Sequence, residues 1–464
     1  MLTSPAGTDD RAGFLHDPIG YMVRVYRRHG RAVTPAPGRD DFVFAFGPEH
    51  NKAILLQPER FAATGFLFPG PKNSAQRRLL AGLFNLNGSR HLDHRRVLWP
   101  TFQRLTALGH RNAVAATAEE FLSAWRFGEV RDVSAEMLAL VARLNGRLLL
   151  GVEADDLVRQ LEAATEEWMA LNTPLTVAAS LSLDLPRSVY EQALACSERV
   201  ETLTKQLLVV RQAEPAGGTD LLAQLLRAHA KAPARVTAAE VVGEAAHIFA
   251  ASNQSTRSAL IWALFLLSQH PGVTADLYAE LRGELNGAAP TLEQMERLPL
   301  LERVIQEALR LFPPVAYYTR ATAGPVELGG RRLRGGTTVV FSHYITHHMP
   351  DLFPAPERFD PDRWHTAGPT PYEYLPYGIG PRMCIGVTYA SLVLRVVLPL
   401  VVQRFRLPVA PGARVDRRVT TILSPRHPIP MRIDRPGPPF VAVPVAGDVH
   451  EMVHLPSAAA AQAA

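Results

Sequence analysis

The stretch Tyr377-Gly378-Ile379-Gly380-Pro381-Arg382-Met383-Cys384-Ile385-Gly386 constrains this chain more than any other. It joins glycines, a cysteine and an arginine in one loop and runs straight into an apolar segment, Val387 to Val402. Glycine takes positive φ and lets other groups approach the backbone, so such a loop can fold tightly against something flat. Cys384 stands where a helix should begin, and the unpaired N–H groups of a helix start favour a thiolate over a thiol. Arg382 adds a positive charge able to pair with an anionic ligand. A lone cysteine in this setting can be nucleophile, metal ligand or packing residue, and the loop by itself leaves all three open.

Length and composition set outer bounds. At about 150 residues per domain, a chain of 464 residues would hold about three domains. No linker divides it, so one large domain over residues 1–435 is expected, followed by a Pro-, Val- and Ala-rich tail, 436–464, expected to be poorly ordered or loosely docked. A hydrophobic share of 47% against 20% charged residues is enough for a large core. The 49 basic and 44 acidic side chains are interspersed without a like-charged run, which argues against a nucleic-acid partner. Cys196 and Cys384 are too few for a disulfide framework, and Cys196 reads as a small core residue. Met1 to Phe14 carries Asp9, Asp10 and Arg11, and the most apolar run, Ala259 to Leu267, is too short to span a bilayer. A soluble, cytoplasmic protein with no membrane segment is expected.

The spacing within the loop narrows the choice. An aromatic, then glycine three residues on, arginine five on, cysteine seven on and glycine nine on resembles the haem-binding loop of the cytochrome P450 family. Those positions are Tyr377, Gly380, Arg382, Cys384 and Gly386, with tyrosine where the family usually has phenylalanine. The resemblance covers about residues 15 to 435 and implies the cytochrome P450 fold, mainly α with small β-sheets. It implies haem b (iron protoporphyrin IX) as cofactor and Cys384 as the axial ligand of its iron, the ligand type that pushes electron density toward O–O cleavage.

Other stretches fall in the family's order. His91 and Arg95 are four apart, on one helical face. They resemble the helix that binds the haem propionates, whose buried charge needs hydrogen-bonded positive partners. Arg320 and Arg382 resemble further propionate partners. Glu307 and Arg310 resemble the family's Glu-x-x-Arg, and Arg358 in Pro356-Glu357-Arg358-Phe359 its distant arginine, which together imply a structural network around the haem loop. By the same resemblance the substrate pocket is expected from Phe66, Phe68 and Leu86 in the irregular stretch Thr64 to Leu86, from Ala251, from the run Val315 to Tyr318 that includes Tyr317, and from Ile422 in the turn Thr420 to Pro425. Phe42 to Phe46 reads as a strand, and Val326–Leu328, Arg332–Leu333 and Thr337–Ser342 as a small antiparallel sheet.

Thr237-Ala-Ala-Glu240 is a capping box, and the helical pattern after it continues to about His270, where Pro271-Gly272 stops it. About 34 residues at roughly 1.5 Å each make a helix of roughly 50 Å, long enough to cross a domain. Ser252 to Thr256 interrupts its apolar course, and buried polar residues there need partners. Aligned on Ser258 to Leu267, the resemblance puts the family's usual acid at Gln254 and its usual threonine at Ser255, the pair that relays protons to bound dioxygen. Ser255 keeps a hydroxyl able to hold a water, whereas Gln254 does not titrate.

The activity implied is a monooxygenase that activates dioxygen and hydroxylates or otherwise oxidises a mostly hydrophobic small molecule, by family analogy in secondary metabolism. The chain shows no glycine-rich dinucleotide fingerprint in a strand–turn–helix context and no flavin segment, so a separate ferredoxin and ferredoxin reductase would supply electrons. Two further readings stay open. Because Gln254-Ser255 replaces the acid–threonine pair, the same scaffold could run a peroxide-driven oxidation, desaturation, ring closure or dehydration. A non-catalytic haem sensor or carrier is the other.

Overall fold

The computed structural model describes residues 11–455 apart from 66, 105–107, 182, 185 and 215–217, so Phe66 of the expected pocket and the Ala-rich end 456–464 lie outside the described residues. In chain order come β1 (Thr34–Ala36), β2 (Arg39–Phe44), β3 (Phe61–Ala63), α1 (Gly88–Arg104), α2 (Asp155–Leu181), α3 (Arg187–Ala213), α4 (Ala238–Gln269) and α5 (Pro299–Leu311). Then follow β4 (Tyr318–Thr322), β5 (Val326–Leu328), β6 (Arg331–Leu333), β7 (Thr338–Phe341) and α6 (Val387–Arg404), with further helices between them.

The long helix α4 starts as its sequence dictates. Thr237 Oγ1 accepts the Glu240 N–H at 3.3 Å, and Glu240 Oε2 accepts the Thr237 N–H at 2.7 Å, which satisfies two otherwise unpaired donors reciprocally. It ends at Gln269, two residues before Pro271, which lacks the N–H that would continue the ladder. Buried on almost every face, it is the kind of all-round apolar helix that belongs in the middle of a large protein. Helices α2 and α3 pack on each other and on α4, and α5 and α6 pack against it elsewhere along its length. Trp262 of α4 stacks on Phe312 at 4.3 Å and an interplanar angle of 5°. Helix α6 is long and apolar enough to cross a membrane by length and composition, but 67% of it is buried in the core.

The main sheet runs β1-β2-β7-β4-β3, parallel between β2 and β7 and antiparallel elsewhere. Here the structure corrects the expected local sheet: only β5 and β6 pair as a hairpin, while β7 leaves them to sit in the centre of the larger sheet. Burial explains the split. Val339, Val340 and Phe341 are buried in succession, as a central strand requires, whereas Val326-Glu327-Leu328 alternates buried and exposed.

Of the two readings of the tail, residues 436–455 follow the docked one. The His454 N–H donates to Glu357 O at 2.8 Å, the Val415 N–H to Ala446 O at 2.8 Å, and the Arg417 N–H to Asp448 Oδ1 at 2.6 Å. Val449, Met452 and Val453 are fully buried, so the core continues past residue 435. Gly447 permits the approach, with φ at 122° and a position where a Cβ would lie 2.1 Å from Val415 O. The Pro- and Ala-rich composition hid three apolar anchors and one glycine.

Candidate active site

The cysteine loop closes on itself through the Cys384 N–H, which donates to Tyr377 O at 2.8 Å. Gly380 has φ of 72°, and a Cβ there would lie 2.8 Å from Leu55 O, so the loop needs glycine to reach that neighbour. The Cys384 sulfur lies deep within the fold yet is open to an internal cavity. Burial pushes its thiol above the ordinary range, and the Gly386 N–H and the Arg95 charge pull it back only in part. The helix start acts in the expected direction, but against burial it does not by itself give a thiolate. A bound metal cation would, because a coordinating thiol is deprotonated outright.

Positive charge gathers on the same cavity. His91 and Arg95 come from α1, Arg320 from β4 and Arg382 from the loop, and all of them line it. Arg320 donates to Thr319 O at 2.8 Å, and Arg382 to Leu86 O and to Asn87 Oδ1 at 2.8 Å. Arg95 lies over the Trp99 ring at 5.7 Å. Among the described residues none of the three guanidiniums pairs with a carboxylate. Burial lowers Arg320 to about 10; burial and then the Arg320 and Arg95 charges lower Arg382 to about 10. His91 is held down to about 4 by burial first and then by Arg382, Arg95 and Arg320. Buried charge without a counter-ion is costly. The donor set fits a ligand bearing two carboxylates beside a thiolate-seeking metal, and haem is such a ligand.

The cavity measures about 250 Å³, near the lower end of ordinary ligand pockets, about 300–1,000 Å³. Of the sequence-based site residues, His91, Arg95, Arg320, Tyr377, Arg382, Cys384 and Gly386 line it together with Ala251, Gln254, Ser255, Val315 and Ile422. Phe68 and Tyr317 do not. Phe68 packs against Tyr190 at 5.1 Å, and its neighbour Leu67 faces the cavity; Tyr317 meets Phe14 edge-on at 5.4 Å, and Tyr318 lines the wall. Leu86, also expected from that stretch, does not line the cavity either; its carbonyl accepts from Arg382. Thr421 lines it beside Ile422, from the turn expected to close the pocket, and Phe84, Met169 and His247 line it without having been expected individually. Of these three only His247 carried a sequence signal, a histidine one turn before Ala251 on the same helix.

The polar interruption of α4 finds partners. Ser255 Oγ donates to Ala251 O at 2.7 Å and Ser252 Oγ to Phe249 O at 3.0 Å, back-bonds within the helix. Gln254 Nε2 donates to Glu166 Oε2 of α2 at 3.3 Å, and Glu166 also receives Arg257 and Arg418. Over the cavity, the turn Thr421–Ile422 hangs from α4: Leu423 O accepts Ser258 Oγ at 2.6 Å and Trp262 Nε1 at 3.1 Å. The Leu423 N–H in turn donates to Pro314 O at 2.8 Å, fixing the segment that carries Val315.

Behind the loop, Glu307 and Arg310 of α5 are fully buried and bonded to each other at 2.9 Å through both carboxylate oxygens. The third arginine is Arg363, whose Nε donates to Glu307 Oε1 at 2.8 Å, with Trp364 Nε1 on Oε2 at 3.0 Å. Arg358, the expected partner, contributes only its backbone carbonyl, which accepts from both Arg310 and Arg363. The chain turns after Arg358, so the short helix Pro361–His365 is what presents side chains to Glu307. Arg310 continues the network to His347 O at 2.9 Å, and His347 Nε2 accepts the Leu375 N–H at 3.0 Å, two residues before Tyr377.

Comparison with known proteins agrees with this geometry. The family model described as cytochrome P450 matches residues 13–432. The cyclooctatin synthase of Streptomyces melanosporofaciens is 33% identical over 402 residues, covering 84% of this chain and 86% of that one. The cyclooctat-9-en-7-ol 5-monooxygenase of the same organism is 30% identical over 414 residues, covering 85% and 88%. The pentalenene oxygenase of Streptomyces avermitilis is 27% identical over 432 residues, covering 90% and 93%. Among solved structures, the retinoic-acid-bound cyanobacterial CYP120A1 superposes with a TM-score of 0.78 at 23% identity, over 92% of this chain and 96% of that one. Motif, fold and relatives coincide along the same residues, and the chain belongs to the cytochrome P450 family.

Proposed function

We propose that this chain, a cytochrome P450 monooxygenase with haem as its cofactor, hydroxylates a cyclic terpenoid, with Cys384 as the axial ligand of the iron. His91, Arg95, Arg320 and Arg382 hold the two propionates. The observation that carries this assignment is the group of uncompensated guanidiniums facing the same cavity as the open Cys384 sulfur. Bound there, haem supplies reductive activation of dioxygen and oxygen insertion into a C–H bond. The terpenoid class rests on the relatives whose names give cyclooctatin, cyclooctat-9-en-7-ol and pentalenene as their chemistry.

The chain's own residues bind, exclude water and handle protons. Ala251, Val315, Ile422, Leu67 and Phe84 give the cavity an apolar wall that takes up a hydrophobic substrate and keeps bulk water from the reacting end. Ser255 Oγ holds a proton at the cavity face and, once turned from Ala251 O, donates it to a water there. Gln254 cannot supply that proton; its amide ties this turn of helix to the Glu166 carboxylate, which reaches the Arg418 side through its ion pair. Electrons arrive from a separate ferredoxin and its reductase in the cytoplasm.

The test is spectroscopic and isotopic. Reduced protein treated with carbon monoxide is expected to show the red-shifted absorbance of thiolate-bound haem, and Cys384→Ala is expected to lose it. With a ferredoxin system under labelled dioxygen, one labelled oxygen atom is expected in the product. Turnover without label would overturn hydroxylation, and a Cys384→Ala variant that kept the absorbance would overturn the ligand assignment.

A further inference from the structure

His247 stands in the cavity wall without a polar partner. It lies on α4 four residues before Ala251 and seven before Gln254, so the three share a helical face, and it is 5% exposed. Its ring stacks on Trp168 at 5.5 Å and 19°, and Phe84 meets it edge-on at 5.8 Å and 83°. The neighbouring Trp168 is itself satisfied, its Nε1 donating to Gln76 Oε1 at 2.8 Å. Nδ1 of His247 is sealed and has no hydrogen-bond partner among the described residues, which leaves Nε2 as the nitrogen toward the cavity that the ring lines. Burial alone holds the ring down to about 4, so at neutral pH it is uncharged and offers one donor and one acceptor.

Packing does not ask for nitrogen at this point, since phenylalanine would stack on Trp168 equally well. On an otherwise apolar wall the cavity-facing nitrogen offers a hydrogen bond that phenylalanine would lack, and a ligand oxygen seated there takes the place of water. Because the ring is neutral, the fitting partner is a neutral oxygen. The sealed nitrogen instead borders Glu244, whose Oε1 is engaged by His94 and the Leu83 N–H while Oε2 has no partner among the described residues. A side chain at Gly82 would meet His247 Nδ1 at 3.1 Å and Glu244 Oε2 at 3.4 Å, so both atoms border one small space. The arginines that depress His91 do not act on His247.

We propose that His247 is the substrate-recognition residue of the cavity, hydrogen-bonding a neutral hydroxyl or carbonyl oxygen already present on an otherwise apolar substrate. This rests on the monooxygenase function proposed above and narrows it from cyclic terpenoids at large to skeletons already oxygenated once. The carbon to be oxidised faces Ala251 to Ser255; at about 1.5 Å of rise per residue, it lies about 6–12 Å from the oxygen held at His247. The preceding step is therefore an oxygenation, or a cyclisation ended by water.

Matched probes test it: cedrene against cedrol, and valencene against nootkatone, titrated into the haem-loaded protein by calorimetry and by the ferric spin-state shift. The oxygenated member of each pair is expected to bind about tenfold more tightly. His247→Phe is expected to bring that ratio to about one while leaving the hydrocarbon within about twofold, and His247→Gln to keep part of the preference. Equal affinities in the native protein, an unchanged ratio in His247→Phe, or no measurable binding of either oxygenated probe would each overturn the proposal. Calorimetry reads the ratio whether or not the Cys384 assignment stands, and the carbon-monoxide absorbance of the same preparations reports that assignment, and intact folding of the variants, separately.

Discussion

At the scale of single residues, the arginines around Cys384 belong to the holoprotein. Arg320 and Arg382 are lowered to about 10, and Arg382 is lowered partly by its arginine neighbours, so without a dianion these side chains repel one another inside the fold. Replacing an uncompensated buried charge with an apolar side chain of similar length often stabilises by about 1 kcal/mol or more. Arg320→Met is therefore expected to raise the melting temperature of haem-free protein and to weaken haem retention about tenfold or more, since hydrogen bonds to charged groups contribute about 1.5–3 kcal/mol each. Thermal melts of both forms and a haem-transfer assay check this; an Arg320→Met apoprotein that melts lower than native would sink it. The cation set was legible through the family resemblance, with His91 and Arg95 sharing a helical face. The run Val315 to Tyr318 was expected as a whole; that Tyr318 reaches the cavity while Tyr317 packs on Phe14 depends on tertiary packing that the run itself does not encode.

At the scale of elements, Glu307 decides how the haem loop is held. Its carboxylate collects Arg310, Arg363, Trp364 and the Asp360 N–H, all within 3.1 Å. A hydrogen bond to a charged group contributes about 1.5–3 kcal/mol. Arg363→Ala, which leaves Glu307 paired with Arg310, is expected to destabilise by that order, whereas Arg358→Ala changes stability by about 0.5 kcal/mol or less, since the carbonyl it contributes survives substitution. Denaturant midpoints of the two variants decide between the arginines, and equal losses would contradict the geometry. The order of the motifs along the chain revealed that a third arginine exists, but its identity depends on the turn after Arg358. Thr237 and Glu240 show the opposite case: both halves of the cap lie within four residues, so the start of α4 needed no tertiary information.

At the scale of the whole molecule, buried histidines set the response to acid. His343 and His348 are lowered to about 3, His91 and His247 to about 4, and His347 lies well below the ordinary value, burial being the main cause in each. The folded state keeps these rings neutral, while the unfolded chain takes up a proton on each below about pH 6.5. Stability is thus fully present above that pH and is lost as pH falls toward the folded-state values, by up to about 1.4 kcal/mol per pH unit for each ring. Glu162, raised to about 7 by burial, and Glu244, also raised, act in the opposite sense but are fewer. Haem-free protein is expected to lose melting temperature steeply between about pH 6.5 and 4. His343→Phe, which removes a ring with both nitrogens unpartnered, is expected to make that slope shallower; an identical slope would count against the assignment. The docked tail belongs to this scale as well, because composition alone cannot register three apolar side chains finding a distant core.

Leu423 O receives a serine and a tryptophan from one helix, while the N–H of the same residue reaches across to Pro314. The ceiling of the chamber is thereby bolted to its longest beam, and the wall beside it is hung from that ceiling. New specificities are then reached by exchanging the side chains at Thr421, Ile422 and Val315 on an unmoving frame, whereas a change at Ser258 or Trp262, out of reach of any guest, would tilt the whole room.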